Sequence, residues 1–143
     1  MSAQRFELPD WESFEHLRET AIGRMCIIDN GFPLAIPVNF RVAGRLDDYT
    51  IVIRTAPQTM LGRYEGAASL EVDHIDIHAG QAWSVFVRGN VRRVVGNHEL
   101  PDPRPLLDEG RYQWMTLQPS AMSGRRFNVK ASTDNYFVEW QFA

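Results

Sequence analysis

The sequence predicts a mainly β protein: six strands in a closed or nearly closed antiparallel barrel, with a few short helices. Three observations point there. Apolar residues alternate with period two over most of the chain from Met25 onward. Short turn signals, with Asn30-Gly31 the strongest, separate the alternating runs. Helical spacing appears over only one stretch, near the start. There is no repeat, low-complexity segment or composition shift, so residues 1–143 read as a single domain.

The elements follow in order. Asp10, after Pro9, is placed to cap a helix in which Trp11, Phe14, Leu17 and Ala21 recur at helical spacing, and Gly23 breaks it. Met25 to Ile28 is a short apolar strand leading into the Asn30-Gly31 hairpin. In the next strand Leu34, Ile36, Val38, Phe40 and Val42 share one face, and Ala35, Pro37, Asn39 and Arg41 the other. Pro37 has no N–H to give a ladder, which predicts an edge or a bulge there. Gly44 to Asp48 is a turn, and Thr50 to Thr55 is the third strand. Pro57 ends it, and Thr59 to Tyr64 opens a short helix that Gly66 stops. In the fourth strand, Leu70 to Ile77, the apolar residues change face after Val72, which predicts a bulge near Asp73 or His74. The fifth carries Trp83, Val85, Val87 and Val91 on one face and is interrupted at Gly89. A loop at Pro101 to Pro105 and a helical turn at Leu106 to Gly110 precede the sixth strand, Tyr112 to Leu117. Ser120 to Gly124 reads as a turn from which Arg125 to Val129 leads out, and Tyr136, Val138, Trp140 and Phe142 alternate in the tail. Phe86, Trp140 and Phe142 fall on outward positions and predict a buried dimer surface.

Composition excludes several classes. With 15 basic and 18 acidic residues and no basic block, nucleic acid is not the expected partner. No run approaches the roughly 20 apolar residues that span a bilayer, and no basic-then-apolar leader opens the chain. The expectation is a cytoplasmic protein without a membrane partner. One cysteine permits no internal disulfide. Cys26, between Met25 and Ile27, reads as a buried, inert thiol. Lys130 is the one lysine among the 15 basic residues; the rest are arginine, a bias that also suits bidentate anion binding.

Gly-rich phosphate loops, a nucleophile elbow, a His-Glu zinc signature and a Cys-x-x-Cys pair are all missing. His74, Asp76 and His78 would lie about 6–7 Å apart along a strand, too wide to chelate one ion, and read as a solvated or interface face. More informative are Arg54 and Thr55 at a strand end, with Thr59 just beyond Pro57. A guanidinium, two hydroxyls and backbone N–H groups at a helix start form a plausible phosphate cradle; the plain alternative is a surface strand end with a capping threonine.

Taken together, Ile22-Gly23-Arg24, Pro37-Val38-Asn39-Phe40 and Val52-Ile53-Arg54-Thr55 resemble the flavin-binding split-barrel family related to pyridoxamine 5′-phosphate oxidases. Leu70-Glu71-Val72-Asp73, Trp83-Ser84-Val85 with Gly89, and Ser123-Gly124-Arg125-Arg126 fit the same family, nearest its small nitroimidazole-reductase-like branch. The resemblance implies a split β-barrel homodimer with FMN at the subunit interface and oxidoreductase chemistry on a small molecule. It places Pro37, Val38 and Asn39 beside the flavin ring, and Arg54, Thr55 and Thr59 on the phosphate, with Met60 and Leu61 following. Trp83 and Ser84 would lie near the flavin or the partner subunit. No side chain is singled out as catalytic, since the flavin carries the redox chemistry.

One position departs from the pattern. Where the family usually has Gly-Thr-Lys, this chain has Gln58-Thr59-Met60. The FMN phosphate carries close to two negative charges, and losing a lysine there removes a contact worth about 1.5–3 kcal/mol. Arg63 could compensate. Two other readings stand beside FMN: a deazaflavin-dependent reductase on the same fold, and a cofactor-free dimeric binding protein.

Overall fold

Alternation with period two gives each strand one apolar face, and the fold follows from burying those faces together. The computed structural model describes residues 4–107 and 110–128. Its strands are β1 (Gln4–Glu7), β2 (Ile22–Asp29), β3 (Phe32–Arg45), β4 (Asp48–Thr55), β5 (Gly66–Asp76), β6 (Gln81–Arg93) and β7 (Gln113–Asn128). One α-helix, α1 (Asp10–Glu19), and one 3₁₀ turn, Leu61–Arg63, complete the elements. The strands form one antiparallel sheet in the order β1-β7-β4-β3-β2-β5-β6, and a further β6–β7 pairing returns the ladder on itself. No described helix is long and apolar enough to cross a membrane.

The chain is thus mainly β, as expected, but the described residues hold seven strands rather than six. The extra one, β1, is a four-residue segment whose order comes from pairing with residues 125–128 of β7. The predicted turn at Ser120 to Gly124 is absent: β7 runs through it. The register against β6 steps from Arg88↔Ala121 to Gly89↔Pro119, leaving Ser120 as the extra residue of a bulge, with its Oγ donating to the Arg88 carbonyl at 3.2 Å. The interruption expected at Gly89 is this register step, and β6 continues past it. A Cβ at Gly89 would overlap the Gln118 carbonyl oxygen.

Conversely, the bulge expected near Asp73 or His74 does not exist, because β5 and β6 stay in register from Gly66↔Val91 to Asp76↔Gln81. The apolar pattern changes there because the hairpin leaves the core: Leu70 and Val72 are buried, while residues 73–76 are exposed. Asn30 and Gly31 both take positive φ, as a tight two-residue hairpin requires. Asp10 is the first helical residue rather than the cap, which is Pro9. The buried face of α1 is Ser13, Phe14 and Leu17; Trp11 is exposed, and Ala21 lies beyond the helix. Gly124 lets the helix close on β7, since a Cβ there would overlap Ser13 Oγ.

Inside the ring lie Met25, Ile27, Phe40, Ile51, Ile53, Leu70, Val72, Val85, Val87, Met115 and Leu117. Leu34, Ile36, Val38 and Val42, the apolar face expected of β3, pack against them. Cys26 is half-buried rather than buried, and burial pushes its thiol up, away from the reactive thiolate. The tail from Val129 onward, with Tyr136, Val138, Trp140 and Phe142, lies outside the described residues, as do Asp108 and Glu109 of the expected helical turn. Leu106 and Leu107 form a bend.

On the outer face where β2 meets β5, Arg24 Nη1 donates to Glu71 Oε2 and Asp73 Oδ2, both at 2.8 Å. Glu71 Oε1 is buried without a hydrogen-bond partner among the described residues. Burial and the neighbouring Asp73 push Glu71 up to about 7, against the pull of Arg24. Asp73, nearer solvent, is lowered by Glu71 and Arg24.

Two predictions follow from this packing. Gly89→Ala should lower stability by about 3 kcal/mol, the upper range for forced overpacking, read as a shifted denaturant midpoint. Glu71 holds its proton more tightly folded than unfolded, so its contribution is full below the ordinary carboxylate range and is lost as pH rises through about 7. Between about pH 5 and 7, Glu71→Gln should flatten the fall of the thermal midpoint with pH; an unchanged slope would assign that fall to other groups.

Candidate functional site

Each half of β3 has a different neighbour. Residues 32–39 pair with β2 alone, and residues 40–45 with β4. Beyond the pair Phe40↔Ile53, β4 stays on β7 through Arg54↔Trp114 and Thr55↔Gln113 and no longer pairs with β3. Pro37 therefore lies on a stretch with one neighbour, as its missing N–H requires. The parting of β3 from β4 leaves a cavity of about 390 Å³. That is at the small end of ligand sites.

Its lining comes from three places. The edge of β3 gives Ile36, Pro37, Val38 and Asn39, with Ile22 from β2. The end of β4 and the turn after it give Arg54, Thr55, Thr59, Met60 and Leu61. The loop before β7 gives Pro105, Leu106, Leu107 and Arg111. The structure thus gathers Pro37, Val38, Asn39, Arg54, Thr55, Thr59, Met60 and Leu61 around one space. Trp83 and Ser84 are not among the lining residues: Trp83 stacks on His16 of α1, with ring centroids 4.0 Å apart, and Ser84 pairs with Arg125 in the ladder.

Several polar groups in the lining are committed within the chain. The Thr59 hydroxyl donates to the Ala56 carbonyl at 2.8 Å, accepts from Gly62 N at 3.0 Å, and lies 2.8 Å from the Thr55 hydroxyl. With its single hydrogen given to Ala56, it accepts from Thr55 and organises the turn. The expected helix from Thr59 to Tyr64 is only this turn and three 3₁₀ residues, packed so tightly that a Cβ at Gly62 would overlap the Ala56 carbonyl. Asn39 Oδ1 accepts the N–H of Leu106 at 3.0 Å, tying the loop to β3. Buried Gln113 donates to the Gly62 carbonyl and locks the turn to the start of β7.

Arg54 is held most firmly. Its Nη1 donates to Asp102 Oδ1 at 2.9 Å and Oδ2 at 3.2 Å, and its Nε to the Arg111 carbonyl at 3.0 Å. Its guanidinium lies 5.6 Å from the centre of the Trp114 ring. The Asp102 carboxyl is held below its ordinary range by the N–H of Arg104, with Arg54 adding to the effect. Arg63 is exposed and does not line the cavity; the second cation there is Arg111. Sequence reading missed Arg111, Ile22, Ile36 and residues 105–107. Nothing in a Pro-rich loop distinguishes a cavity wall from a connection, and an arginine-rich composition hides which arginine matters.

Apolar walls, an unpaired strand edge on one side and two arginines form a donor set that fits a flat, amphipathic molecule with an anionic end. Met60, 44% exposed, occupies the position where a lysine is expected.

The sequence matches the pyridoxamine 5′-phosphate oxidase family over residues 9–126, and the chain belongs to that family. Among solved structures, the FAD-binding protein of Mycobacterium smegmatis is 28% identical, with a TM-score of 0.67 over 87% of this chain and 99% of its own. A protein of Corynebacterium glutamicum, provisionally assigned as a pyridoxamine 5′-phosphate oxidase, is 26% identical with a TM-score of 0.70, covering 90% and 96%. A Bacteroides thetaiotaomicron protein provisionally assigned to 5-nitroimidazole antibiotic resistance shares the fold at 15% identity, with a TM-score of 0.62 over 89% and 90%. No curated protein matches the sequence.

Because Thr59 joins three groups, Thr59→Val should destabilise the protein by about 1–3 kcal/mol through the partners left unpaired. Thr59→Ser should restore most of that loss. Equal denaturant midpoints for the wild type and Thr59→Val would remove the hydroxyl from the turn's support.

Proposed function

We propose that this chain is an FMN-binding oxidoreductase that works as a cytoplasmic homodimer on a small-molecule substrate. The observation that carries this reading is the cavity at the parting of β3 and β4, where an apolar wall, a strand edge and Arg54 converge. The flavin supplies the redox chemistry when bound. The chain's own residues would do the rest. Residues 37–39 would border the ring, Ile22, Val38 and Leu61 would exclude water from its face, and Arg54 with Arg111 would hold the anionic end.

A homodimer is favoured by the rim. Leu106 and Leu107, 80% and 70% exposed, line the cavity yet face solvent, as does Ile22. A second copy covering that rim would bury it. Exposed Phe86 is a further candidate for the contact, and Trp83 and Ser84, away from their own cavity, are assigned to the interface side.

The name of the Mycobacterium smegmatis protein favours a second reading, FAD in the same cavity. Each phosphate of FAD carries one charge, so a site without the expected lysine suits it better than it suits a terminal phosphate. A deazaflavin places comparable demands on the same arginines.

Titration of the purified protein with FMN, FAD and a deazaflavin, followed by flavin fluorescence, tests the proposal. FMN should bind at micromolar concentration, and Arg54→Ala should weaken it by about tenfold or more, while Arg92→Ala, on the exposed face of β6, should not. Tighter binding of FAD or the deazaflavin would reassign the cofactor. A colourless dimer that binds none of them, with no rise in thermal midpoint, would leave a cofactor-free binding protein.

A further inference from the structure

One of the two cations that line the cavity, Arg54, is already engaged by a carboxylate of the same chain. Asp102 meets Arg54 Nη1 with both oxygens, and its Oδ1 also accepts the N–H of Arg104 at 2.9 Å, in a loop turn where Arg104 takes a positive φ. Arg41 Nη1 reaches the Asp102 carbonyl at 3.5 Å. Three residues on, the same loop forms the cavity wall at Pro105 to Leu107, anchored by Leu106 N on Asn39 Oδ1. One segment therefore both closes the cavity and sets a negative charge on its anion-binding residue. Arg54 is largely enclosed, its side chain 15% exposed, whereas that of Asp102 is 45% exposed. The carboxylate can be displaced into water; the guanidinium stays.

Charge makes this consequential. Among the lining residues the cations are Arg54 and Arg111, and Met60 adds none. A ligand phosphate arriving at Arg54 meets Asp102 at hydrogen-bond range from the same guanidinium. Two anions on one cation, in a partly desolvated place, repel each other far more than they would in water.

We propose that Asp102 is a specificity-determining residue: it competes with the ligand's anionic end for Arg54, and so weakens a flavin that ends in a phosphate relative to one that ends in a hydroxyl. The proposal rests on the flavin reading above and says which tail that site tolerates.

The test compares FMN with riboflavin, which share the ring and differ in the terminal phosphate. Asp102→Asn removes the charge and keeps the shape, and its amide oxygen still accepts from Arg104 N. Dissociation constants are measured by flavin fluorescence for the wild type, Asp102→Asn and the double variant Asp102→Asn with Arg54→Gln. In Asp102→Asn, FMN should tighten by at least about tenfold, while riboflavin stays within about twofold, which also shows that the variant is folded. The double variant should lose the gain for FMN. An unchanged FMN constant in Asp102→Asn overturns the proposal. Equal shifts for both flavins also overturn it, since Asp102 would then act on the loop and not on the phosphate. Binding of FMN with equal affinity to all three proteins removes this role for Asp102 and leaves the flavin reading standing. Binding of neither flavin to any of them overturns the flavin reading itself.

Discussion

The site depends on one constraint of strand pairing: β3 cannot keep β4 beside it along its whole length. From Arg45 back to Phe40 the two strands are laddered, and beyond that pair they part. A hydrogen-bonded pair holds its strands about 4.8 Å apart, which leaves no room for a ligand. Only where the ladder stops can a space open between two strands of one sheet. The parting is enforced from both sides. Pro37 has no N–H to offer, and β4 is kept on β7, with the chain turning away at Pro57. The cavity, its strand edge and the approach of Arg54 all follow from that divergence.

The rest of the molecule holds the two sides of the gap in place. β7 is long enough to pair with β6 on both sides of the bulge at Ser120 and, on its other edge, with β4 at residues 113–117 and β1 at residues 125–128, so it carries the ring's closure. Glycine is needed where backbones crowd, at Gly89 against Gln118 and at Gly124 against α1. The turn after β4 is fixed by the Thr59 hydroxyl from within and by Gln113 from β7. The last two contacts bear directly on the cavity, since they hold the turn that carries Thr59, Met60 and Leu61.

Charge is handled in a consistent way. Each carboxylate moved from its ordinary range in the described residues is tied to an arginine. Glu71 and Asp73 share Arg24, and Asp102 sits on Arg54. The first cluster lies on the outer face of the sheet and bears on stability. The second lies at the cavity and bears on what can enter. An arginine that looks available in the sequence is, in the fold, already half of a pair.

Much of the strand content was legible because alternation reports which face is buried, and β3 shows it most plainly. The Asn30-Gly31 hairpin was legible because few residues accept positive φ. β1 was not, since four residues acquire strand structure only from a partner more than a hundred positions away. The turn expected at Ser120 to Gly124 failed because serine and glycine serve bulges and close contacts as readily as turns. For the site, family motifs brought Pro37 to Asn39, Arg54, Thr55 and Thr59 to Leu61 together, whereas Arg111 and Asp102 carried no signal. The sequence by itself determined a mainly β chain, the residues at the end of β4 and the missing lysine at Met60. Only the tertiary structure decided that Thr59 is spent on its own turn and that Asp102 holds Arg54. The Thr59 partners are near in sequence, but which of turn or ligand takes the hydroxyl depends on how the turn closes. Asp102 and Arg54 are 48 positions apart, and that distance along the chain says nothing of their distance in space.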